Sequence, residues 1–441
     1  MLKLEQKHII DKFQLSEIFY SGCKQTSQLG LELEKIAVYK GNFNAVSYKD
    51  ITKVINEFEK QGWKKVIENG ELIGLTGEIG HISLEPGSQF ELSLNPLNNV
   101  HQINMGLKEY YKQIKNASSE IDIDWIDYGI QPVSTYNDIR IIPKSRYEKM
   151  TQYLPHKGSL PFVMMRETAG IQVSLDYKNE EDASKKMSLA LKLSPIVSAM
   201  YCNSPVRGGN LTEYKSFRAN SWLHTDNDRC GLVSEKLFCK NIEFTFMDYV
   251  EILLDVPMIF IERNGKTIFV KDLTFRNFMK NGYEELRANL DDWNTHISLY
   301  FPDVRFKNYI EIRNHDTQNK ELTLSIPALW KGIMNTNDSM TAAKELLKHF
   351  EYEDYQNIRN NAPRYGIDYS IKNIELSTIT KELTNIAYYS LSADKTGEEC
   401  YLEALLALTE DKMTPADIII KNWNTVWNKD ITKLIDFCKT K

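Results

Sequence analysis

The chain has 441 residues and a formal net charge of -6, and 42% of its residues are hydrophobic while 26% are charged. This balance is typical of a globular protein with a substantial core, and it excludes disordered and fibrous chains. The acidic charge, together with the lack of a dense Lys/Arg run interleaved with aromatic residues, predicts that nucleic acid is not a partner.

The apolar runs indicate where the protein is located, and the cysteine spacing indicates whether it holds a structural metal. No apolar run approaches the roughly 20 residues that span a bilayer, and the first residues form no uninterrupted apolar segment of the signal-peptide kind. We therefore expect no membrane partner and a cytoplasmic location. The six cysteines form no CxxC pair and no finger-like spacing, which indicates neither a structural zinc site nor a disulfide framework.

Apolar spacing predicts both helices and strands in the first half of the chain. Helical spacing covers residues 1–27, 49–61, 99–119 and 180–202. Between the second and third of these helices, the pattern over 63–94 changes to short strands. Asn69-Gly70 is a hairpin signal there, because both central residues of a type I′ turn need positive φ.

The second half adds another hairpin signal and a helical tail. Asn264-Gly265 separates two apolar runs, and from about residue 341 the pattern is nearly all helical. The uneven mix of strands and helices favours an α+β fold with a largely antiparallel sheet over regular βαβ units. No linker or repeat divides the chain, and we predict a main body over 1–340 with a helical region over 341–441 packed on it.

Four strand segments place polar and acidic side chains on one face. A strand points successive side chains to opposite faces, and the four segments lie at 28–39, 81–94, 170–176 and 309–316. On the first two segments the polar face carries four acids without an intervening Lys or Arg: Glu32, Glu34, Glu85 and Glu91. The step Pro86-Gly87 interrupts the second segment without changing which residues share a face.

This acidic face has two interpretations. A single strand of this kind is usually half-solvated, with polar side chains that simply meet water. Four such strands with closely spaced like charges indicate that divalent cations offset the repulsion, and Mg²⁺ prefers carboxylate and phosphate oxygens. The sequence contains neither GxxxxGK[ST] nor a GxGxxG motif after a strand, so metals and cationic side chains would have to hold the phosphates of any bound ATP.

Four arginines near these strands are candidates for phosphate or carboxylate contacts. An isolated arginine is most often part of a surface ion pair. Arg313 is the stronger candidate because it shares a strand face with Glu311. The other three candidates are Arg166, Arg218 and Arg229.

The same segments, in the same order, resemble the plant-type glutamate–cysteine ligases, a family that also includes bacterial enzymes. The strongest match is ISLEPGSQFELSLNPL at residues 82–97. Further matches are GLELEK (30–35), YGIQPV (128–133), IIPKSRYEKM (141–150), MMRETAGIQVSLDY (164–177), NSP (203–205), FRANSWLHTDNDRCG (217–231), LLDVPM (253–258) and FPDVRFKNYIEIRNHD (301–316). The resemblance extends from about residue 15 to about residue 340 and continues more loosely into the helical tail.

The resemblance implies a fold related to glutamine synthetase, in which a curved antiparallel sheet forms a funnel-shaped active site. It also implies that the γ-carboxylate of glutamate attacks the γ-phosphorus of ATP, and that the amine of cysteine then displaces phosphate from γ-glutamyl phosphate. This reaction is the first step in making glutathione or a related thiol. Phosphorylation supplies the leaving group that a carboxylate lacks. The implied cofactor is Mg²⁺, or Mn²⁺ in its place, and ATP is a co-substrate.

Site residues follow from the resemblance position by position. The implied metal ligands are Glu32, Glu34, Glu85, Glu91 and Glu311. Catalysis would depend on Arg313, which would face the transferring phosphoryl, and on Glu85. The implied nucleotide contacts are Gln172, Arg313 and Arg166. The implied substrate contacts are Arg218 for the glutamate carboxylate, with Trp222, His224 and Arg229.

One departure from the family pattern leaves the amine substrate open. This sequence has His224 where the family motif has an aspartate, so the acceptor is less defined than the glutamate donor. The enzyme could therefore act on another amino acid or amine. A catalytically inactive substrate-binding relative and a noncatalytic acidic-sheet scaffold are further hypotheses. The expected partners are glutamate, cysteine and ATP, with the protein a monomer or a homodimer.

Overall fold

A nine-stranded sheet organises the computed structural model, which describes residues 9, 11–238, 244–263 and 265–441. Its strands are β1 (Leu29–Tyr39), β2 (Lys64–Glu68), β3 (Glu71–Thr76), β4 (Gly80–Leu84), β5 (Phe90–Leu94), β6 (Ile123–Ile126), β7 (Gly170–Leu175), β8 (Val304–Phe306) and β9 (Ile310–Asp316). The strand order is β8-β9-β7-β1-β5-β4-β3-β2, and β6 pairs with the second half of β1. Neighbouring strands of this sheet pair antiparallel throughout.

Helices and short two-stranded ribbons make up the rest of the described chain, which confirms the predicted α+β class. The helices are Glu17–Tyr20, Tyr48–Glu59, Val100–Ala117, Ser145–Tyr153, Pro161–Glu167, Glu180–Met200, Phe217–Leu223, Phe246–Asp255, Phe275–Asn281, Leu290–Ser298, Lys320–Met334, Asn337–Leu346, Tyr352–Tyr365, Leu376–Ala393, Glu403–Glu410, Pro415–Asn424 and Ile431–Cys438. The ribbons pair Val206–Arg207 with Asn210–Leu211, Cys230–Gly231 with Phe301–Pro302, Phe260–Arg263 with Lys266–Phe269, and Ser370–Ile371 with Ile374–Glu375.

The apolar face of the sheet forms the centre of the core. Its alternating residues are buried as the period of two predicts, among them Leu31, Leu33, Ile82, Leu84, Phe90, Leu92, Ile171 and Val173. Helix Glu180–Met200 packs against β9, and helix Lys320–Met334 packs against β7 and β1. With one face covered in this way, the opposite face of the sheet is left for polar side chains.

Most of the predicted helices begin and end close to their expected bounds. The predictions at 49–61, 99–119 and 180–202 correspond to three helices whose first turns are capped by Ser47, Asn99 and Asn179. The prediction at 1–27 is too long, because the described part of that range contains a 3₁₀ turn at Lys12–Ser16 and one short helix, Glu17–Tyr20. The remainder of that range up to residue 8, and residue 10, lie outside the described residues.

Two hairpins join neighbouring strands at the expected turns. A third hairpin lies where the sequence predicted a single interrupted strand. Asn69 and Gly70, both at positive φ, connect β2 to β3 as predicted. Around Gly265 the two predicted strands pair, although Asn264 lies outside the described residues. The segment 81–94 is not one interrupted strand: it folds back at residues 85–89, so β4 and β5 are neighbours. A Cβ at Gly87 would lie 2.1 Å from the carbonyl oxygen of Arg166, so this turn needs glycine.

The tail is helical, as predicted, and packs on the rest of the chain. Helix Leu376–Ala393 lies against helix Lys320–Met334, and helix Tyr352–Tyr365 lies against helix Glu180–Met200. One hydrophobic cluster runs from Leu15 through the sheet to Leu405. The division into two regions at residue 340 stays a prediction. Among the described residues, no helix combines the length and apolar character needed to cross a membrane.

Candidate functional site

The polar face of the sheet forms the floor of a cleft with an empty volume of about 1140 Å³. Antiparallel pairing places Glu34 opposite Glu91, and it places Glu32 beside Gln172 of β7. Glu85, at the end of β4, joins them in the cleft lining. The structure therefore brings together five residues that the sequence marked out as metal or nucleotide contacts.

The acids have specific hydrogen-bond partners. Ser83 donates to Glu91 Oε1 at 2.9 Å, and the hydroxyl of Tyr147 donates to Glu85 Oε1 at 3.1 Å. The backbone N–H of Gly170 donates to Glu34 Oε2 at 2.5 Å. These contacts fix one oxygen of each carboxylate and leave the other oxygen available to a ligand.

Burial makes the ionised form of this acidic cluster costly. It raises the pKa of Glu91 well above its usual range, and the carboxylates of Glu32, Glu85 and Glu34 add to the rise. Burial also raises the pKa of Glu34 to about 7, although Arg218 opposes the change. The pKa of Glu32 is raised by burial as well. Closely spaced buried carboxylates with too few cations become favourable when a divalent ion joins them.

Glu311 differs from the other acids because three cations surround it. Its Oε2 lies 2.5 Å from Arg305 Nε and 2.6 Å from Arg313 Nη1, and its Oε1 lies 2.7 Å from Lys307 Nζ. Burial alone would raise its pKa, but the three cations hold the pKa well below its usual range. Glu311 is fully buried, whereas Arg305, Lys307 and Arg313 line the cleft. Arg313 also donates to the side-chain oxygen of Gln172.

Several cleft residues were missed at the sequence level. Arg305 and Lys307 alternate with Val304 and Phe306, so the same period of two that revealed the acids could have found them. Lys144 and Arg146 line the cleft from the start of helix Ser145–Tyr153 and lie within the motif at 141–150. The cleft thus has an acidic floor and a basic side, the arrangement that a metal-bound polyphosphate needs.

A smaller pocket of about 490 Å³ lies beside the cleft. The two cavities share a wall made of Arg218, Trp222, Phe301 and Arg313. Three buried polar atoms in the lining of this side pocket have no hydrogen-bond partner among the described residues: Arg218 Nε, Trp222 Nε1 and Asn314 Oδ1. Unpaired buried donors and acceptors are unfavourable, so this lining suits a small polar ligand.

Three predicted site residues lie outside the cleft, and their assignments are corrected. Arg229 is fully buried in an ion pair with Asp226 at 2.6 Å and also donates to backbone carbonyls, so its donors are already used. Arg166 donates to the carbonyl of Tyr136 at 2.9 Å and lines a different surface depression. His224 is exposed beyond the end of helix Phe217–Leu223. None of these three lines the cleft or the side pocket.

The residues of the cleft floor fit a magnesium ion that takes some of its ligands from the protein and others from phosphate. Within the described residues, no three His, Cys, Asp or Glu side chains converge closely enough to hold a metal by themselves. Mg²⁺ does not require such a cage, because it commonly takes one or two carboxylates, phosphate oxygens and water. The free carboxylate oxygens and the raised pKa of Glu34 and Glu91 are the features that fit such an ion.

Comparison with known proteins gives a match over most of the chain. A family model described as glutamate-cysteine ligase family 2 matches residues 28–436. The chain is 32% identical over 428 residues to glutamate–cysteine ligase B, chloroplastic, of Oryza sativa subsp. japonica, covering 96% of this chain and 86% of the relative. It is 31% identical over 433 residues to the chloroplastic glutamate–cysteine ligase of Nicotiana tabacum, covering 97% and 82%.

A solved structure supports the fold. The glutamate–cysteine ligase of Francisella tularensis in complex with AMP superposes with a TM-score of 0.55 at 14% identity, covering 91% of this chain and 86% of that one. The expected cytoplasmic location is contradicted by the plant relatives, which are named chloroplastic.

Proposed function

The chain belongs to the glutamate-cysteine ligase family 2, and from this premise we propose how its cleft performs the reaction. The enzyme joins the γ-carboxylate of glutamate to the amine of cysteine with the use of ATP, the first step of glutathione synthesis. The observation that supports the mechanism best is the cleft itself, where four acids on adjacent strands face a group of cations. The acids would hold metal ions, and the cations would hold phosphate.

The acidic floor is the proposed metal site. Mg²⁺, or Mn²⁺ in its place, would be held by carboxylates with the amide oxygen of Gln172 as a further donor: Glu32, Glu34, Glu85 and Glu91. A metal bound there offsets the negative charge of ATP and polarises the transferring phosphoryl. Glu311 could join these ligands only if Lys307 left its Oε1, so in this arrangement it anchors cations.

The basic side is the proposed phosphate site. Arg305, Lys307 and Arg313 are held toward the cleft by one shared anchor, Glu311, so their positions are fixed before substrate binds. Preorganised cations stabilise the charge that develops as the γ-phosphoryl moves from ATP to the glutamate carboxylate. Arg313 also contacts Gln172, which lies beside Glu32, and it is the proposed catalytic cation.

The wall between the cleft and the side pocket is the proposed glutamate site. Arg218 is buried, and in the part of the chain that the structure describes its Nε has no partner, so it has a donor for a carboxylate. The indole N–H of Trp222, in the same wall, also lacks a partner among these residues. Glutamate bound there would place its γ-carboxylate toward Arg313 and the phosphates, and the acyl phosphate would then be open to attack by the amine.

Product analysis tests this function. The protein is incubated with glutamate, cysteine, ATP and Mg²⁺, and the products are identified by mass spectrometry while phosphate release is followed. We expect γ-glutamylcysteine and phosphate in equal amounts, and neither product when glutamate or Mg²⁺ is omitted. A Glu85→Gln variant should lose most of this turnover. The proposed cysteine specificity is wrong if alanine or a plain amine is used as readily as cysteine.

A further inference from the structure

The helical C-terminal region contributes an arginine to the side pocket. Arg359 lies on helix Tyr352–Tyr365, and its guanidinium forms part of the pocket wall together with Asp303. Arg359 Nε donates to Asp303 Oδ2 at 2.9 Å, and the two side chains are 16% and 12% exposed. Among the described residues this is the only hydrogen bond of Arg359, so its terminal nitrogens can bind a ligand.

The backbone next to this pair lets the guanidinium of Arg359 lie directly against Gly231. Gly231, at a φ of +101°, packs under the guanidinium, and a Cβ there would lie 2.8 Å from Arg359 Cζ. The N–H of Asp303 donates to the carbonyl of Gly231, and the N–H of Arg313 donates to the carbonyl of Asp303. Arg359 and the cleft residue Arg313 are therefore attached to the same short segment of backbone.

A surface hollow of about 860 Å³ lies next to the side pocket and shares Leu223 and Arg359 with it. The lining of this hollow is polar, with Asn220, His224, Asn227, Asn360 and Asn361. Arg359 is therefore the charged side chain that the side pocket and the hollow have in common.

These observations define a carboxylate site in the side pocket, next to the proposed glutamate site. A guanidinium whose Nε is fixed by an aspartate presents Nη1 and Nη2 as a planar fork, which matches a carboxylate. Resting on the proposed function, we propose that Arg359 binds the carboxylate of the amine substrate, so the acceptor is an α-amino acid rather than a simple amine. Asp303 is the positioning residue that holds the fork in place.

Selectivity between cysteine and cysteamine tests the proposal, because cysteamine is cysteine without its carboxylate. The wild-type protein should favour cysteine in kcat/KM by about 10- to 100-fold, the usual effect of a charged hydrogen bond. Arg359→Gln should reduce this preference to near unity and leave the KM for ATP unchanged. Arg359→Lys should restore part of the preference, and it also replaces the glutamine variant if that protein does not fold.

Matched controls separate recognition from structure. Arg276→Gln removes a surface arginine whose Nε also contacts an aspartate, Asp255, at 2.7 Å and which lines neither cavity, so it should keep the wild-type preference. Glutamate is compared with 4-aminobutyrate, which lacks the α-carboxylate. If Arg359→Gln reduces the preference for glutamate over 4-aminobutyrate instead, Arg359 binds the α-carboxylate of glutamate and the proposal is overturned. An unchanged cysteine preference overturns it too. If the wild-type protein turns over no amine at all, that result contradicts the ligase function itself.

Discussion

Glu34 and Glu91 are cross-strand partners on β1 and β5, so two acids face each other at the floor of the cleft. Like charges in directly opposed positions destabilise a sheet. Here the strain is eased by protonation, because burial raises the pKa of both carboxyl groups. The same pair would favour a divalent cation, because the cation would offset the repulsion between the two carboxylates.

The first prediction concerns the pH dependence of the metal-free protein. The pKa of Glu34 is about 7 in the folded state against an ordinary value of 4.5, so the folded protein holds this proton more tightly than the unfolded chain. Its contribution to stability is complete below pH 4.5 and is lost as the pH rises to about 7. Glu34→Gln should therefore match the wild type at pH 4 and exceed it at pH 8 by roughly 1 kcal/mol, since the group is partly open to the cleft.

Urea unfolding at the two pH values, without Mg²⁺, measures this difference. Glu57→Gln is the control, because Glu57 is a surface carboxylate on helix Tyr48–Glu59 whose main contact is Lys60. It should show no gain at pH 8. If Glu34→Gln is no more stable than the wild type at pH 8, the buried-carboxylate account of the cleft floor is wrong.

The second prediction concerns the anchor of the basic side. Glu311→Gln removes the negative charge shared by Arg305, Lys307 and Arg313 and leaves three cations crowded together. We expect a loss of roughly 3 kcal/mol in the free energy of unfolding, as for a broken buried ion pair. Added phosphate or ATP should return part of this stability. A variant as stable as the wild type, with no response to phosphate, would show that the cations do not depend on Glu311.

The third prediction separates Arg313 from Arg166, the two arginines that the family resemblance implies as nucleotide contacts. Arg313→Gln should lower kcat by about 100- to 1000-fold, because a preorganised cation facing the transferring phosphoryl is lost. Arg166→Gln should leave kcat within a few-fold of the wild type, because its guanidinium contacts backbone outside the cleft. Steady-state phosphate release measures both. Equal losses in the two variants would place the phosphate elsewhere.

The fourth prediction concerns the cations that face the acidic floor from helix Ser145–Tyr153. Lys144→Gln should raise the KM for ATP about 10-fold with a smaller effect on kcat, since one charged contact to the phosphates is lost. Lys149→Gln is the control, because Lys149 lies on the helix that Lys144 directly precedes and is outside the cleft lining. A KM for ATP that changes equally in both variants would reflect general charge and not a phosphate contact.

The acidic floor could be predicted from the sequence because a strand repeats its faces every two residues. Glu32, Glu34, Glu85 and Glu91 fell on one face, and strand pairing then brought them together. The same period would place His315 on the polar face with Glu311 and Arg313, but His315 is buried and bonded to Ile171 and Trp330. A register shift between Ile312 and His315 turns the His315 side chain into the core. The period of two does not predict such a bulge.

Residues contributed by loops and by the tail could not be predicted in this way. Arg218 and Trp222 are four residues apart on one helix and therefore reach the same wall, whereas Arg229 follows the helix and turns back to Asp226. Arg359 comes from the region where the resemblance is loosest. Its role depends on how helix Tyr352–Tyr365 packs beside Gly231, which is a tertiary contact without a local sequence signal.

Transfer of oxygen from glutamate to phosphate tests the central claim most directly. Glutamate labelled with ¹⁸O in its γ-carboxylate is incubated with cysteine, ATP and Mg²⁺, and the products are analysed by mass spectrometry. If the cleft transfers the γ-phosphoryl to glutamate, one labelled oxygen appears in inorganic phosphate and the nucleotide product is unlabelled ADP. Label in AMP, or label absent from phosphate while γ-glutamylcysteine forms, would contradict the account.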